Sequence, residues 1–301
     1  MFINIAATTH VGLERDNNED TLIVCPDLSH PDWTSDHTSL SSLPLSPQGA
    51  LLAVADGVGG NNAGEVASAI AMQTLAKTLT PEATAQAAHT DDLAAQLLHQ
   101  AVQDAHDAIN QHIIEDFHTL GMSTTIVLAW VTPHRTHIAW CGDSRCYAYT
   151  PTDGLRQLTH DHSYVQQLID SGTLTPEEAF THPDSNVITH AIGDVDCSSL
   201  ADTTSIPTTP DTTLILCSDG LCGYNTDEAI ARIVARHHTS PSRCCHALLQ
   251  LALDAGGQDN IAITVAHLTP QPSPQTPNSS LLNTRAGRFI THLLSLLTHR
   301  Q

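Results

Sequence analysis

The sequence predicts an α+β fold with largely antiparallel sheets. Strand-like and helical segments come in blocks along the chain, without the regular alternation of strand and helix that is typical of a doubly wound parallel sheet. The 301 residues are enough to bury a sizeable core. Because 41% of the residues are hydrophobic but only 4% are aromatic, we expect that core to consist mainly of Ala, Leu, Ile and Val.

The first half of the chain is predicted to contain three strands and then two helices. The strands are expected over residues 2–9, 21–25 and 51–55, which are apolar or alternate in polarity. Residues 26–48 are rich in Pro, Ser and Asp and are predicted to form a long surface loop. Apolar residues at helical spacing then predict amphipathic helices over 63–79 and 91–114. The apolar face of the second helix is expected to consist of Leu93, Leu97, Ala101, Ala105, Ala108 and His112.

In the second half, strands are predicted over residues 124–131, 136–141, 146–149, 212–217 and 261–268. Helices are predicted over 227–237 and 241–255, with short helices within 160–182. In that last region, Thr175-Pro176-Glu177-Glu178 is typical of a helix start, because proline is favoured at the first helical position.

The charge of the chain is strongly negative and unevenly distributed. A net charge of −21 results from 32 acidic and 11 basic residues, which argues against a nucleic-acid-binding surface. Every Asp and Glu lies at or before Asp259, so residues 260–301 carry +3 from three arginines, and the eight other basic residues leave the rest at −24. The C-terminal segment is therefore predicted to differ in kind from the rest.

We predict one domain over residues 1–268, followed over 269–301 by a proline-rich linker and a short basic amphipathic tail. Proline recurs between Pro270 and Pro277, which is typical of a linker. Leucines and Phe289 beyond it could form a short helix with one apolar face. That helix is too short to span a bilayer. The alternatives are that the tail docks on the domain, on a partner or on a membrane surface, or that it is disordered.

A cytoplasmic location is expected. The N-terminus lacks a basic region followed by a long apolar stretch, so no signal peptide is predicted, and no transmembrane segment is expected. The eight cysteines show no zinc-type spacing and are expected to be reduced, buried thiols.

Acidic residues stand at the ends of five predicted strands. They are Glu19, Asp20, Asp56, Asp143, Asp219 and Asp259. In an antiparallel sheet the end of one strand and the start of its neighbour share an edge. We therefore expect these acids, from distant parts of the chain, to converge at one rim, although each taken singly is compatible with an ordinary turn or cap.

Carboxylates crowded at one rim would repel one another and take up protons, whereas a divalent cation would let them stay ionised. The ligands at these strand ends are hard oxygens, with no His or Cys among them, which favours Mg²⁺ or Mn²⁺ over Zn²⁺. Gly57 and Gly220 directly follow two of the aspartates and would let backbone carbonyls approach an ion. The residues alone therefore predict a divalent-metal site.

Six short motifs occur in a specific order. They are Arg15-Asp16-Asn17-Asn18-Glu19-Asp20, Asp56-Gly57-Val58-Gly59-Gly60, Gly121-Met122-Ser123-Thr124-Thr125, Cys141-Gly142-Asp143-Ser144-Arg145, Ser218-Asp219-Gly220 and Asp259-Asn260. Together they resemble the signatures of the metal-dependent protein serine/threonine phosphatases of type 2C (PPM), over about residues 5 to 268. The segments 158–163 and 182–193 resemble the bacterial branch of that family.

The resemblance implies a four-layer αββα sandwich, with two packed antiparallel sheets flanked by helices, and two Mn²⁺ or Mg²⁺ ions at one rim. Asp56 would bridge both ions. Asp219 and Asp259 would hold one ion, whereas the Gly57 carbonyl and Glu19, through water, would serve the other.

The resemblance also implies roles for three further residues. Asp20 matches an acidic position that supports the metal site. Asp143 matches the aspartate that helps to bind a third, looser ion in bacterial relatives. Arg15 lies four residues before Glu19, where the family places its phosphate-binding arginine.

The activity so implied is hydrolysis of phosphoserine and phosphothreonine on proteins, by direct attack of a hydroxide bridging the two ions, in opposition to a bacterial Ser/Thr kinase. The alternative is a catalytically weak pseudophosphatase that binds phosphoproteins or a kinase as a regulator. Loss of the metal acids would mark such a regulator, but Asp56, Asp219 and Asp259 are all present.

The chain departs from the family pattern at two positions. Val58 stands where animal members have a histidine, so the proton donor to the leaving group is unassigned. A metal-bound water at the Asp143 site could donate that proton, and His162 is a weaker candidate, because a surface histidine is its more ordinary interpretation. Ser123 replaces a usual glycine. Residues 160–193 correspond to the flap of bacterial relatives.

Overall fold

The computed structural model describes residues 1–35, 37–58, 63–194 and 201–270. Within them the strands are β1 (Phe2–His10), β2 (Thr21–Cys25), β3 (Thr38–Pro44), β4 (Ala50–Ala55), β5 (Gly57–Val58), β6 (Ser123–Thr124), β7 (Ile126–Val131), β8 (Arg135–Cys141), β9 (Arg145–Thr150), β10 (Gly154–Gln157), β11 (Asp202–Pro207), β12 (Thr213–Cys217) and β13 (Ile261–Thr269). The α-helices are α1 (Gly64–Thr78), α2 (Pro81–Ala87), α3 (Asp91–Glu115), α4 (Tyr164–Asp170), α5 (Pro176–Phe180), α6 (Asp219–Cys222), α7 (Asp227–His237) and α8 (Pro241–Asp254).

The strands form two large antiparallel sheets. Sheet one has the strand order β10-β9-β12-β13-β1-β3, and sheet two has the order β11-β8-β7-β4-β2. A short third ladder pairs β5 with β6. Strands that follow one another in the sequence are therefore mostly antiparallel neighbours in one sheet or lie in different sheets, as expected for an α+β fold.

The two sheets pack face to face and carry helices on their outer faces. The core between the sheets includes Ile5 and Leu214 from sheet one and Leu52 from sheet two. Helices α1 and α3 cover the outer face of sheet two, and α7 and α8 cover that of sheet one. The predicted four-layer αββα sandwich is confirmed.

The prediction of a surface loop throughout residues 26–48 is wrong over β3. Leu40 and Leu43 pack against the core between the sheets, and β3 pairs with β1 at the edge of sheet one. A register shift interrupts the pairing of β1 with β3, so Leu40 and Leu43 lie three residues apart and the alternation that marks a half-buried strand is absent from the sequence. Strands β10 and β11 and helix α2 were also not predicted.

Helix α3 lies where it was predicted, but its buried face is displaced. Leu93 is 43% exposed, and His112 is not among the buried residues. The buried set is Ala94, Leu98, Ala101, Val102, Ala105, Ile109 and Ile113. Because apolar residues stand in adjacent pairs along this helix, as at Leu93-Ala94 and Leu97-Leu98, two adjacent phases of the 3.6-residue repeat fit almost equally well.

One rim of the sandwich collects the relevant strand ends. The last residue of β4, Ala55, pairs with the first residue of β2, Thr21. In sheet one, the last residue of β12, Cys217, pairs with Ile263 near the start of β13. Consequently the loops that follow β4 and β12 and those that precede β2 and β13 leave the sheets on the same side.

Residues Met1–Thr269 form one compact unit. The proposed linker and tail lie outside the described residues beyond Pro270, as does Cys197, so the predictions made for them stay predictions. In the described part of the chain, no helix is long and apolar enough to cross a membrane. The cysteines Cys25, Cys146, Cys217, Cys222, Cys244 and Cys245 are buried thiols.

Candidate active site

A pocket of about 280 Å³ opens at this rim, and we call it the rim pocket. It is lined by Arg15, Glu19, Asp56, Gly57, Val58, Thr125, Asp143, Asn186, Ile188, Asp219, Asp259 and Asn260. Seven of the eight residues that the sequence singled out therefore meet in one place. The exception is Asp20, which lies beneath the pocket.

The backbone of Asp56 is fixed by the two threonines that follow the Gly121-Met122-Ser123 segment. The Asp56 carbonyl accepts hydrogen bonds from the Thr125 amide at 2.9 Å and from Oγ1 of Thr124 at 2.7 Å. Its amide donates to Oγ1 of Thr125 at 3.2 Å. Three bonds at one residue leave its carboxylate little freedom, and this explains why the threonine motif accompanies the aspartate.

Glu19 and Gly57 direct their oxygens to a common point. The Glu19 carbonyl accepts hydrogen bonds from the Gly57 amide at 3.2 Å and from the Ser68 hydroxyl at 2.7 Å. A Cβ atom added at Gly64 would lie 2.5 Å from Oε2 of Glu19 and 2.9 Å from the Gly57 carbonyl oxygen. Gly64, at the start of α1, therefore provides room for both oxygens. Sequence reasoning missed this residue, which is not part of any motif.

The two C-terminal aspartates are brought together by a backbone contact. A Cβ atom at Gly220 would collide with the carbonyl oxygen of Asn260, so the loop after β12 can lie against the start of β13 only with glycine here. This contact places Asp219 beside Asp259. Gly220 was predicted to bring a backbone carbonyl to an ion, but in the structure it is buried and does not line the rim pocket.

Asn260 ties the rim together through its side chain. Its Nδ2 donates to the carbonyls of Val11 at 2.9 Å and Asn17 at 2.8 Å, and its Oδ1 accepts from the Glu19 amide at 2.7 Å. The loop that carries Arg15 and Glu19 is thereby bound to the loop that carries Asp259.

Asp20 is buried beneath the rim pocket. Its Oδ2 accepts a hydrogen bond from the Ser218 hydroxyl at 2.6 Å, and Oγ of Ser218 in turn accepts from the Ala262 amide at 2.9 Å. Burial raises the pKa of Asp20 to about 8, against the opposing effect of the Ser218 bond. This position fits support of the pocket from below, and its predicted supporting role stays a prediction.

Three carboxylates of the rim pocket, those of Asp56, Asp143 and Asp219, form no ion pair with a described residue. Burial, followed by repulsion from neighbouring carboxylates, raises the pKa of Asp56, Asp143 and Asp219. In the described part of the chain, Oδ1 of Asp20 and Oδ1 of Asp219 are buried without any hydrogen-bond partner. Unpartnered buried oxygens are costly, so these atoms mark a place for a cation.

The donor set fits a hard divalent cation, but it is not arranged around one. Among the described residues, no three His, Cys, Asp or Glu side chains already stand in a geometry that would hold a metal ion. One reason is that Asp259 is already paired with Arg15, since Nη2 of Arg15 lies 2.8 Å from Oδ2 of Asp259. Carboxylate and carbonyl oxygens are nevertheless the ligands that Mg²⁺ and Mn²⁺ prefer.

Arg15 stands at the mouth of the rim pocket, with its side chain 52% exposed. Besides its ion pair with Asp259, its Nε lies 3.4 Å from the carbonyl oxygen of Gln258. Both partners belong to the loop before β13, so the guanidinium faces the pocket. The phosphate-binding role predicted for it stays a prediction.

His162 lies outside the rim pocket. Its Nδ1 accepts a hydrogen bond from the Gly142 amide at 3.2 Å, and its Nε2 is 3.3 Å from Oδ2 of Asp202. Both ring nitrogens are thus engaged at the base of the flap, and we do not assign it as a proton donor. Val58, by contrast, does line the pocket.

The fold and the acid-lined rim define a class of protein, the type 2C protein phosphatases. A family model described as Protein phosphatase 2C matches residues 39–251, and the chain therefore belongs to that family.

Relatives and solved structures agree with this assignment. The chain is 33% identical to the serine/threonine phosphatase stp of Listeria innocua over 216 residues, which cover 71% of this chain and 82% of the relative. Its structure resembles serine/threonine phosphatase Stp1 of Staphylococcus aureus, with a TM-score of 0.74, 31% identity, and coverage of 88% of this chain and 95% of that one. It also resembles the catalytic domain of the phosphatase PstP in complex with two manganese ions, with a TM-score of 0.69, 30% identity, and coverage of 89% and 99%. The predicted family and enzyme class, a protein-serine/threonine phosphatase, are confirmed.

Proposed function

We propose that this protein hydrolyses phosphoserine and phosphothreonine on proteins, using two Mn²⁺ or Mg²⁺ ions held in the rim pocket. The observation that carries the proposal is the meeting of Glu19, Asp56, Asp219 and Asp259 in one pocket, with a buried carboxylate oxygen that has no partner. The two manganese ions of the similar PstP catalytic domain support it.

Asp56, whose carboxylate is close enough to those of Asp143 and Asp219 to be affected by their charge, would contact both ions. Asp219 and Asp259 would hold one ion, and the Gly57 carbonyl with Glu19 would serve the other. Asp143, which also lines the rim pocket, would help to hold a third. When bound, such ions lower the pKa of water and neutralise charge on a phosphoryl group.

Arg15 would bind the phosphate of the substrate. Its planar guanidinium can donate to two phosphate oxygens at once, which a lysine cannot match. Because Arg15 is paired with Asp259, the arginine and the carboxylate must separate before each takes up its proposed partner. The exposed position of Arg15 allows this movement at small cost.

The flap closes one side of the pocket through Asn186 and Ile188. Both side chains would face the substrate, and Ile188 would exclude water from the phosphate. The described lining of the rim pocket contains no histidine, so an imidazole in that lining does not supply the proton for the leaving alkoxide.

We further propose that the substrates are products of a Ser/Thr kinase and that the enzyme acts in the cytoplasm. The named Ser/Thr phosphatase relatives support the first point. The regulatory alternative, a pseudophosphatase, would be marked by loss of the metal acids, whereas Asp56, Asp219 and Asp259 are all present in the sequence.

The test is hydrolysis of p-nitrophenyl phosphate with added Mn²⁺. We expect turnover that EDTA abolishes and that Asp219→Asn lowers by about 100-fold or more, because the variant loses a charge from the proposed ligand set. Asp92→Asn, on the exposed start of α3, is the matched control and should behave like the unaltered chain. Turnover that persists in EDTA would refute the proposed mechanism.

A further inference from the structure

A second cavity, of about 580 Å³, opens beside the rim pocket. One wall comes from the flap (residues 160–193), and the other from residues 222–228 after β12. We call it the flap cavity. Asp143, Asn186 and Asp219 line both cavities. A peptide whose phosphorylated side chain enters the rim pocket would therefore have its neighbouring side chains over the flap cavity.

The lining of the flap cavity is strongly acidic. Its acidic members are Asp143, Asp161, Glu177, Asp219, Asp227 and Glu228. Arg145 is the one basic residue among the described residues that line it. A cavity of this composition attracts cations and repels anionic groups.

Arg145 is already engaged by protein partners. Its Nε and Nη2 lie 2.6–3.0 Å from the carboxylate of Asp161. Its Nη1 donates to the Tyr147 hydroxyl at 2.9 Å and lies 3.4 Å from Oδ1 of Asp227. Because each of its three nitrogens has a protein partner and its charge is paired with Asp161, this arginine is poorly suited to recruit a second phosphate or an acidic side chain.

Two of the carboxylates, by contrast, form no ion pair with a described residue. Glu177, in α5, is exposed, and its side chain makes no hydrogen bond or ion pair within the described residues. Glu228, in the first turn of α7, has a pKa lowered by hydrogen bonds to its own amide and to Thr226, with a small contribution from Arg232. It is therefore ionised, and it forms no ion pair with a described residue. The two walls thus each present a negative charge.

Apolar surface lies between these charges. Phe180 and Tyr224 line the cavity and are 40% and 36% exposed, and Ile169 lies with them. Long basic side chains bury their methylene stems on such surfaces while the charged end reaches a carboxylate. Aromatic faces add a favourable contact with the cation.

We propose that the flap cavity binds an arginine or lysine side chain of the phosphoprotein, close in sequence to the phosphorylated residue. The proposal rests on the proposed phosphatase function and adds a charge class to its substrates. The stem of the basic residue packs against Phe180 and Tyr224, and its charged end faces Glu177 and Glu228. An acidic residue beside the phosphorylated residue is repelled by Glu177 and Glu228.

The experiment compares phosphothreonine peptides that differ at a single flanking position, carrying Arg, Ala or Glu at each of the three residues before and after the phosphothreonine. We expect kcat/KM for the Arg peptide to exceed that for the Glu peptide by about 10-fold at one or two positions, with the difference shrinking at high salt. Hydrolysis of p-nitrophenyl phosphate by the same unaltered protein tests the proposed function separately. If that ester is hydrolysed but Arg and Glu peptides are equivalent, only the present proposal fails.

Charge reversal distinguishes the cavity from the overall negative field. The double variant Glu177→Lys/Glu228→Lys should lose or invert the preference for the Arg peptide. The control Glu82→Lys/Glu115→Lys makes the same change in net charge on α2 and α3, outside the cavity, and should keep the preference. A preference that is equal at all six positions, or that both double variants change alike, would overturn the proposal.

Discussion

The rim pocket and the flap differ in how their residues are held. In the rim pocket the candidate ligands lie within three residues of a strand, and Asp56 and Glu19 each have a backbone fixed by three hydrogen bonds. In the flap, α4 has seven residues and none of them is buried. The flap contributes only Ala179, Ala191 and Ile192 to the buried apolar residues.

This difference separates two tasks. Charged groups that must converge on ions need fixed positions, because a small displacement changes every ligand distance at once. A surface that receives different protein substrates benefits from a weakly packed element that can adjust. Under the proposed function, the chain would use sheet ends for the first task and the flap helices for the second.

Among these variants, Asp56→Asn is expected to cause the largest loss of activity, because it removes a charge from the rim pocket. Activity with Mn²⁺ should fall by about 10³-fold or more, or roughly 4 kcal/mol of barrier, because the residue placed between both ions loses its charge. In EDTA the same variant should unfold at a higher temperature than the unaltered chain, because one of several repelling buried carboxylates is removed. Turnover assays and thermal unfolding measure the two effects. Lower thermal stability would show that the carboxylates do not repel one another in the folded protein.

Asp161→Asn is expected to give an intermediate effect and loosens the flap. The Asp161 side chain is 7% exposed and holds Arg145 with contacts of 2.6–3.0 Å. Losing its charge should cost about 2–3 kcal/mol of unfolding free energy, because Arg145 keeps only weaker partners. Urea unfolding measures the cost, and limited proteolysis within 160–193 should become faster. The control is Asp170→Asn, at an exposed residue of α4. Equal rates of proteolysis for the two variants would show that the Asp161–Arg145 ion pair does not hold the flap in place.

The smallest effect is expected in the pH dependence of the free energy of unfolding, measured in EDTA. Buried histidines of the sheets and the acids of the rim contribute to it with opposite sign. Burial lowers the pKa of His267 and His137 from near 6.5. The unfolded chain therefore binds these protons more readily, so the stability they contribute is complete above about pH 6.5 and is lost as the pH falls. The rim acids, whose pKa values are raised, act in the opposite sense and favour the folded state as the pH falls.

His267→Gln separates these contributions. Its stability, measured by urea unfolding at pH 7.5 and 5.5, should decline less on acidification than that of the unaltered chain. Exposed His246→Gln is the control and should not change the pH dependence. A variant with the same pH dependence as the unaltered chain would show that His267 is protonated equally in both states.

The sequence was most informative where chemistry and secondary structure coincide. An acid at the end of an apolar run, as at Asp56, is visible because strand and carboxylate are adjacent. It was less informative about packing partners. Gly64 and Ser68 hold Glu19 in place, but their contacts join segments about 45 residues apart, and no local pattern marks them.

The flap cavity could not be foreseen for a related reason. Glu177 comes from the flap and Glu228 from α7, and the sequence pattern that predicts each helix does not show that the two helices face one another. The pairing of Arg145 with Asp161 and Asp227 depends on side-chain geometry alone. Strand β3 was missed because a register shift in its pairing with β1 places Leu40 and Leu43 three residues apart, which breaks the period-two signal.

The side chain of Asn260 has a consequence for the synthesis of the protein. Its bonds to Val11, Asn17 and Glu19 span 249, 243 and 241 residues of sequence. Contacts of such separation form late, because the chain must close a very long loop first. A nascent chain can present Arg15 and Asp56 early, but it cannot assemble the rim until residue 260 has left the ribosome. We therefore expect chains that end before residue 260 to be inactive, because they lack the bonds that join the two rim loops.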